Sequence, residues 1–378
     1  MKYNPGHFQP NVWQRITKII SSNRIGSAYL FSGPEGTGKE AAALAFSAAL
    51  NCQGNEIICG SCSSCVRFSS LQHEHLHVII PLPRKKANFD KDTDVLSIIG
   101  DDNAALLTDL LQKKGTDPFQ KINIPRAKRI LINSIRELRK KLYLKSVDSG
   151  YKMVLIFDAH CLSDGDGASA NALLKLLEEP PKKTTVILVT DYKSMLLSTI
   201  QSRCQQIDFP PISHDIVSTY LTDRGIHSGE AEFYANLADG NIHKARFLAD
   251  RTVAEILKTM KDQVEAVVNS NGDGWRSYIN NMSRMVRSDP NNFKFHLFLL
   301  QTWFQQSVRS RQNISSPLAQ NGFGEALKTF TTSYPQANLT TANSVIETTI
   351  ASIDRNFYMP LTLTNMLIDI QHYLKGKA

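Results

Sequence analysis

Short apolar runs alternate with amphipathic segments through the first half of the chain. Three of the runs, 28–31, 153–157 and 185–190, combine β-branched, aromatic and other apolar residues and predict buried strands. The segments 39–50 and 168–179 carry alanine or leucine at helical spacing and predict helices. Strands that alternate with helices indicate a parallel sheet with helices on both faces, so we predict an α/β fold for this half.

The pattern changes beyond Pro210 and Pro211. Strand signals nearly vanish, and helical periodicity dominates 215–250 and most of 253–374. The predicted domains are an α/β domain at 1–208, a small helical domain at 209–252 and a larger helical domain at 253–378. The side chains expected in the core of the last domain are Phe293, Phe295, Leu297, Leu299, Trp303 and Phe304.

One segment of the first domain, 84–125, follows neither pattern. It opens with basic residues, turns acid-rich and contains a predicted helix near 104–112. We interpret it as an inserted excursion of variable length, followed by a predicted helix at 127–142.

The chain is basic, with a formal net charge of +8 and an isoelectric point of about 9.1. Eight lysines and arginines against one glutamate lie between 126 and 145, which indicates either a solvated helix face or a surface near nucleic acid. Apolar runs of membrane-spanning length are absent, and the N-terminus carries no basic region followed by an apolar run. We therefore expect a cytoplasmic protein with no membrane partner.

A glycine-rich turn lies between the first predicted strand and the helix at 39–50. Gly33, Gly36 and Gly38 suit a loop whose backbone amides turn toward phosphate, and Lys39 is placed to reach the terminal phosphates of a nucleotide. A P-loop of this kind needs serine or threonine next, for Mg²⁺, but the chain has Glu40. An anionic side chain there repels phosphate, while the glycines and Lys39 still suit a nucleotide. The sequence therefore leaves nucleotide binding open, and we do not expect hydrolysis.

A second departure lies at the end of the strand 153–157. Asp158 follows the strand, as does the acidic residue that orients the metal ion in P-loop ATPases. An active enzyme of this type carries a glutamate next, which polarises the attacking water. Here the next residue is Ala159, and a methyl group cannot act as a base.

Four of the six cysteines fall within one short insertion at about 51–66. Cys52, Cys59, Cys62 and Cys65 have the close spacing typical of a structural Zn²⁺ site, in which four thiolates complete a tetrahedron. The alternative is four buried free thiols, which we regard as the weaker interpretation for a cytosolic chain.

Together these residues resemble the bacterial DNA polymerase III clamp-loader AAA+ subunits, and among them most the delta-prime type. The resemblance covers residues 1–250 well and includes the P-loop, the cysteine cluster and the segment 170–181, which is similar to the family's signature helix. Ser202, Arg203 and Cys204 stand where the family carries its Ser-Arg-Cys motif. The excursion has no counterpart in the family's shorter members.

The resemblance implies an architecture and partners. It implies a RecA-like AAA+ domain, a helical lid and a helical collar that joins gamma/tau and delta subunits in a hetero-pentamer. Such an assembly belongs to a DNA-directed DNA polymerase holoenzyme and uses ATP to place a sliding clamp on primed DNA. For Arg203 it implies an arginine finger that acts in trans on the ATP of a neighbouring subunit; the alternative is a structural salt bridge.

The departures indicate which member of the family the chain resembles. An active gamma/tau motor needs the P-loop hydroxyl, the glutamate after the strand and a sensor arginine in the lid, where this chain has Glu40, Ala159 and His243. We therefore predict a delta-prime-like subunit without ATPase activity of its own, with structural zinc and with ATP or ADP at most held without turnover. The alternatives are an active gamma/tau-like ATPase and a zinc-containing DNA-binding module on an inactive ATPase fold.

Overall fold

The structure is a computed structural model that describes residues 5–84, 93–143, 150–163, 165, 167–269, 272–312, 314, 323–353 and 357–376. The chain forms two compact units. One comprises Met1–Val217 with Asp239–Lys244, and the other comprises Ser218–Ala238 with Ala245–Ala378. The division into three domains at 208 and 252 stays a prediction.

A five-stranded parallel sheet forms the centre of the first unit. Its strands are β1 (Ala28–Ser32), β2 (Leu76–Ile79), β3 (Lys152–Ile156), β4 (Thr184–Thr190) and β5 (Gln205–Asp208). They lie in the order β2-β3-β4-β1-β5, and Leu30 of β1 lies opposite Leu188 of β4. The carboxyl ends of β3, β4 and β1 therefore meet at one edge of the sheet, where parallel sheets commonly bind ligands.

Helices cover both faces of this sheet. Those of the first unit are α1 (Pro5–Phe8), α2 (Pro10–Ser21), α3 (Lys39–Leu50), α4 (Ser63–Ser69), α5 (Val95–Ile99), α6 (Asp101–Thr116), α7 (Ile132–Tyr143), α8 (Ala168–Glu178) and α9 (Ser198–Gln201), with 3₁₀ helices at Ala159–Leu162 and Lys193–Met195. Alternate residues of β1 enter two separate hydrophobic clusters, Tyr29 and Phe31 in one and Ala28 and Leu30 in the other. The predicted α/β fold is confirmed.

The described part of the excursion is built into the core of the first unit. Ile98, Ile99 and Ile122 are buried in the same cluster as Tyr29. The helix predicted near 104–112 is longer than expected and extends over the whole of α6. Residues 93–125 therefore belong to the body of the α/β unit.

One predicted helix boundary was wrong, and one strand was not predicted. The helix predicted at 127–142 begins only at α7, because Arg126 adopts a φ of 66° and the Leu82 amide donates to the Arg129 carbonyl in an isolated bridge. Strand β5 was not predicted, since Ile207 is its only buried residue. An edge strand of this kind has no apolar run for sequence reasoning to find.

The regular secondary structure in the described residues of the second unit is all helical. Its helices are α11 (Ser228–Ala238), α13 (Val253–Val268), α14 (Gly272–Ser288), α15 (Pro290–Arg311), α16 (Phe323–Ser333), α17 (Leu339–Ser352) and α18 (Met359–Leu374), while α10 (His214–Thr222) and α12 (Ile242–Ala249) each have residues in both units. All six side chains expected in its core are buried on α15. Across the described chain, none of the helices combines the length and apolar character needed to cross a membrane.

Candidate functional site

The glycine-rich turn connects β1 to α3 and depends on glycine at two positions in particular. Gly36 and Gly38 have φ angles of 72° and 83°, in the left-handed region that side chains with a Cβ disfavour. A Cβ on Gly36 would also lie 1.9 Å from the side-chain oxygen of Asn241. The turn therefore has the tight, glycine-dependent backbone that the sequence predicts, followed directly by the N-terminus of α3.

The amine of Lys39 is bonded to the turn itself. Its Nζ donates to the carbonyl of Gly33 at 2.8 Å, to the carbonyl of Pro34 and to the hydroxyl of Thr37 at 3.2 Å. It also forms an ion pair of 2.8 Å with Asp191. Burial lowers the pKa of Lys39, and the Asp191 carboxylate opposes that shift. All the hydrogen bonds that an ammonium can donate are thus used inside the protein.

Three carboxylates surround a second amine at the edge of the sheet. Asp158 follows β3, Asp191 follows β4, and Glu35 lies in the glycine-rich turn. The Nζ of Lys121 lies 3.5, 3.4 and 3.6 Å from their respective oxygens. Burial opposes the charge of Lys121, but these carboxylates raise its pKa. Burial acts to raise the pKa of Asp191, but Lys121 and Lys39 hold the pKa of this carboxyl below its ordinary value.

Glu40 is paired with a buried lysine from the excursion. The Nζ of Lys114 forms an ion pair with the Glu40 carboxylate and donates to the carbonyls of Pro118 at 3.1 Å and Gln120 at 2.8 Å. Burial acts to raise the pKa of Glu40, but the adjacent ammonium groups, chiefly that of Lys114, lower it. The residue at the Mg²⁺ position of the P-loop is therefore an ionised partner of the chain's own lysine.

Two further residues differ from those of an active P-loop ATPase. His243 lines the same cleft, and Ala159 lies next to the cleft residue Asp158. Ala159 follows Asp158 as a completely buried methyl group at the start of a 3₁₀ helix. His243 lines the cleft, where burial lowers its pKa. Neither residue supplies the base or the permanent positive charge of an active ATPase.

The enclosed space of the cleft is small in this arrangement. Its remaining cavity has a volume of about 20 Å³, roughly the space of one water molecule. Sites for nucleotide-sized ligands occupy roughly 300–1,000 Å³. The excursion residues Pro118, Phe119 and Lys121 form part of its wall.

The four clustered cysteines fit a metal ion. Cys52 follows α3, Cys62 precedes α4, Cys65 lies on α4, and all four sulfurs, including that of Cys59, lie within 4.8 Å of one another. Zn–S bonds of about 2.3 Å in a tetrahedron place sulfurs about 3.8 Å apart, and the Cys59 and Cys65 sulfurs are 4.0 Å apart. Zinc would therefore be held by these four thiolates, as a structural ion.

Backbone amides stabilise negative charge on these sulfurs. The amides of Gly54 and Cys59 donate to the Cys52 sulfur, that of Cys62 to Cys59, and that of Cys65 to Cys62, each at 3.4 Å. The amide of Cys62, together with that of Ser61, lowers the pKa of Cys59 to about 6. Burial raises the pKa of Cys65 to about 12, so the fold favours the thiolate form at Cys59 and opposes it at Cys65.

Arg203 does not line this cleft and lies two residues after the end of α9. Its guanidinium donates to the carbonyl of Thr199 at 2.9 Å and forms an ion pair of 2.7 Å with Glu178 at the end of α8. Both charged side chains are largely exposed, at 38% and 49%. Exposed pairs of this kind are worth about 0–1 kcal/mol, so the arginine is held only weakly by its own chain.

The basic segment forms an amphipathic helix. On α7, Ile135 and Leu138 are buried, while Lys140 and Lys141 are exposed and Lys141 pairs with Glu137 at 2.6 Å. The last basic residue of the segment, at 145, lies outside the described residues. A solvated helix face accounts for this pattern without nucleic acid.

The family of the chain follows from comparison with known proteins. Residues 8–213, more than half of the chain, match the family described as DNA polymerase III, delta subunit. The chain belongs to this family. The matched residues contain the glycine-rich turn, the cysteine cluster, the excursion and Arg203, so the geometry above is that of a DNA polymerase III delta-family domain.

Two curated relatives and one solved structure are similar to the chain. The chain is 31% identical to DNA polymerase III subunit delta' of Bacillus subtilis, over 61% of this chain and 56% of that protein. It is 29% identical to the tau subunit of the same organism, over 68% of this chain and 40% of that protein. A gamma subunit-related protein of Thermotoga maritima has a solved structure with 15% identity and a TM-score of 0.43, covering 96% of this chain and all of that one. The chain spans about half the length of the curated relatives it matches.

Three charged residues of this delta-family cleft were missed by sequence reasoning. Asp191 directly follows a buried strand, so the rule that found Asp158 could have found it as well. Lys114 and Lys121 lie in the aperiodic excursion, and Lys114 is separated from Glu40 by 74 positions. No local pattern relates them to the P-loop.

Proposed function

We propose that the chain is a delta-prime-like clamp-loader subunit of the bacterial replicative DNA polymerase III. It assembles with gamma/tau and delta subunits in a hetero-pentamer that places a sliding clamp on primed DNA. In this role the chain is a non-hydrolysing AAA+ component. Family membership and the similarity to delta-prime and tau subunits support the proposal.

The observation that carries the non-hydrolysing role is the residue after Asp158. A buried alanine occupies the position from which a glutamate would polarise the attacking water. The carboxylates at the ends of the two neighbouring strands, Asp158 and Asp191, are both paired with Lys121. Glu40 in place of the metal-binding hydroxyl acts in the same direction, because it already has a cationic partner.

Arg203 supplies the chain's catalytic contribution, which is made to a neighbour. As a trans arginine finger it stabilises the charge that develops on the ATP of the adjacent motor subunit. The weak, exposed pair with Glu178 supports this role, since breaking that pair costs little. The zinc cluster serves structure alone, because four protein ligands leave no coordination position open.

The first experiment measures ATP hydrolysis by the purified chain, with Lys39→Ala as the reference. We expect no turnover above that reference. Lys39-dependent turnover would instead make this chain a motor subunit of the gamma/tau type and overturn the proposal.

The second experiment tests Arg203 in the reconstituted complex with the gamma/tau and delta subunits of the same organism. Arg203→Ala should lower ATP turnover by roughly 10³-fold at the site that it completes. Glu178→Gln removes the intramolecular partner and is the matched control, with turnover retained. Equal turnover of the Arg203→Ala and wild-type complexes would exclude the finger.

A further inference from the structure

The excursion reaches into the P-loop cleft through the end of α6 and the loop that follows it. We propose that residues 114–121 are a built-in occupant of this cleft, with the Lys121 ammonium in the position of a divalent cation and Lys114 neutralising Glu40. The cleft is then completed by the chain itself, and it needs neither nucleotide nor metal to be ordered. This inference rests on the proposed non-hydrolysing role and extends it.

The surroundings of Lys121 are those of a bound cation. Its Nζ lies 3.4–3.6 Å from carboxylate oxygens of Asp158, Asp191 and Glu35, which come from two strand ends and from the glycine-rich turn. Asp191 connects the two lysines of the cleft, because its other oxygen pairs with Lys39 at 2.8 Å. Three carboxylates this close together repel one another unless a positive charge lies among them. Lys121 provides that charge.

Lys114 fixes the segment that carries Lys121. Its side chain is completely buried, and its Nζ pairs with Glu40 on α3 while it donates to the carbonyls of Pro118 and Gln120. One ammonium thus joins the P-loop helix, the end of α6 and the loop that leads to Lys121. The buried ammonium of Lys114 therefore fixes the position of this loop through charge-assisted hydrogen bonds.

An aromatic side chain fills space next to these charges. Phe119 is buried at 5% exposure, lines the cleft, and packs against the ring of Phe8 with ring centroids 4.9 Å apart. The cavity that remains, about 20 Å³, admits roughly one water molecule. Residues 118, 119 and 121 thus line the space beside the P-loop that a nucleotide would need.

The proposal predicts that removal of one amine creates a metal site. Lys121→Met keeps the apolar stem and leaves three carboxylates without their cation. The probe is Mn²⁺, whose free form is measured by electron paramagnetic resonance and which prefers carboxylate oxygen to the cysteine thiolates. We expect Lys121→Met to bind Mn²⁺ at least about tenfold more tightly than the wild-type chain does. Lys113→Met, an exposed lysine of α6, is the control and should bind as the wild type does.

A second measurement needs no variant. Lysines of the wild-type chain are labelled with an amine-acylating reagent, with and without millimolar Mg·ADP, and the rates at Lys121 and Lys113 are compared by mass spectrometry. We expect slower labelling at Lys121 than at the exposed Lys113, and no change with Mg·ADP. The thermal unfolding midpoint of the wild type should likewise stay unchanged by Mg·ADP, since a ligand that binds the native state raises it.

Two results would overturn the proposal. One is Mn²⁺ affinity in the wild type equal to that of Lys121→Met. The other is Mg·ADP that stabilises the wild type and speeds labelling at Lys121, because nucleotide would then displace the segment. Nucleotide binding without turnover defeats this inference alone, whereas Lys39-dependent turnover defeats the proposed function.

Discussion

The cysteine cluster and the P-loop cleft are two places in the same α/β unit where side chains of ligand type converge, and they are built in opposite ways. In the cluster, four thiols from one short segment converge, and the groups that contact them are backbone amides of that segment. In the cleft, acidic side chains also converge, but lysines from the excursion already lie among them. The comparison shows that converging ligand groups do not by themselves predict a ligand. The positive charge that opposes these groups has to be located first. It is missing from the segment of the cysteine cluster and present in the cleft.

The largest effect is expected at the cluster, because the proposed structural zinc would join four ligands of this segment. Cys65→Ser replaces a buried ligand, so zinc affinity should fall by more than the roughly 10- to 100-fold that changes in groups around the ligands produce. Metal analysis of the purified chain should show zinc in the wild type and little in the variant, whose thermal unfolding midpoint should be lower. Cys161→Ser, outside the cluster, should retain both values. If the wild-type chain takes up no zinc when zinc is supplied, the cluster binds no added ion, and the contrast with the self-filled cleft fails.

In the cleft the largest effect is expected from the buried pair of Lys114 and Glu40. Lys114→Met leaves the carboxylate of Glu40 without its principal partner and should lower the free energy of unfolding by roughly 3–5 kcal/mol. Urea denaturation measures this change, and Lys113→Met should stay within about 0.5 kcal/mol of the wild type because its side chain is exposed.

The double variant Glu40→Met/Lys114→Met tests whether the two charges act as a pair. Removal of both should recover part of the loss, with a coupling of roughly 1–3 kcal/mol between the two sites. Recovery stays partial, since the carbonyls of Pro118 and Gln120 also lose their donor. Effects that simply add would mean that Glu40 finds another partner, and the description of the cleft as self-completed would fail.

The parts of this molecule that sequence reasoning predicts are those whose cause is local. The P-loop needs glycines at fixed positions between a strand and a helix, and the cysteine cluster needs four ligands within one insertion. Both are visible along the chain. The α/β fold follows from strands such as β1 and β4, in which every residue is buried.

The occupant of the cleft could not be predicted in this way. Considered only with its neighbours in sequence, Glu40 is the loss of the hydroxyl that binds Mg²⁺ in a P-loop. Its meaning depends on Lys114, 74 positions away in a segment without clear periodicity. Strand β5 escaped detection for a related reason, because three of its four residues are exposed and its place is set by pairing with β1. Contacts between distant segments, rather than residue types, decide these features.

The smallest effect is expected at Lys39, the residue that contacts phosphate in nucleotide-binding P-loops. Its substitution tests whether this lysine serves a ligand or the protein's own loop. Lys39→Met leaves the carbonyls of Gly33 and Pro34 without their donor, while Asp191 keeps Lys121 as a partner. The free energy of unfolding should therefore fall by only about 1–3 kcal/mol, with the exposed Lys18→Met as control. Stability equal to the wild type would mean that the amine contributes nothing in the absence of nucleotide. A measurable loss, unchanged by Mg·ADP, would mean that the P-loop lysine here stabilises its own loop.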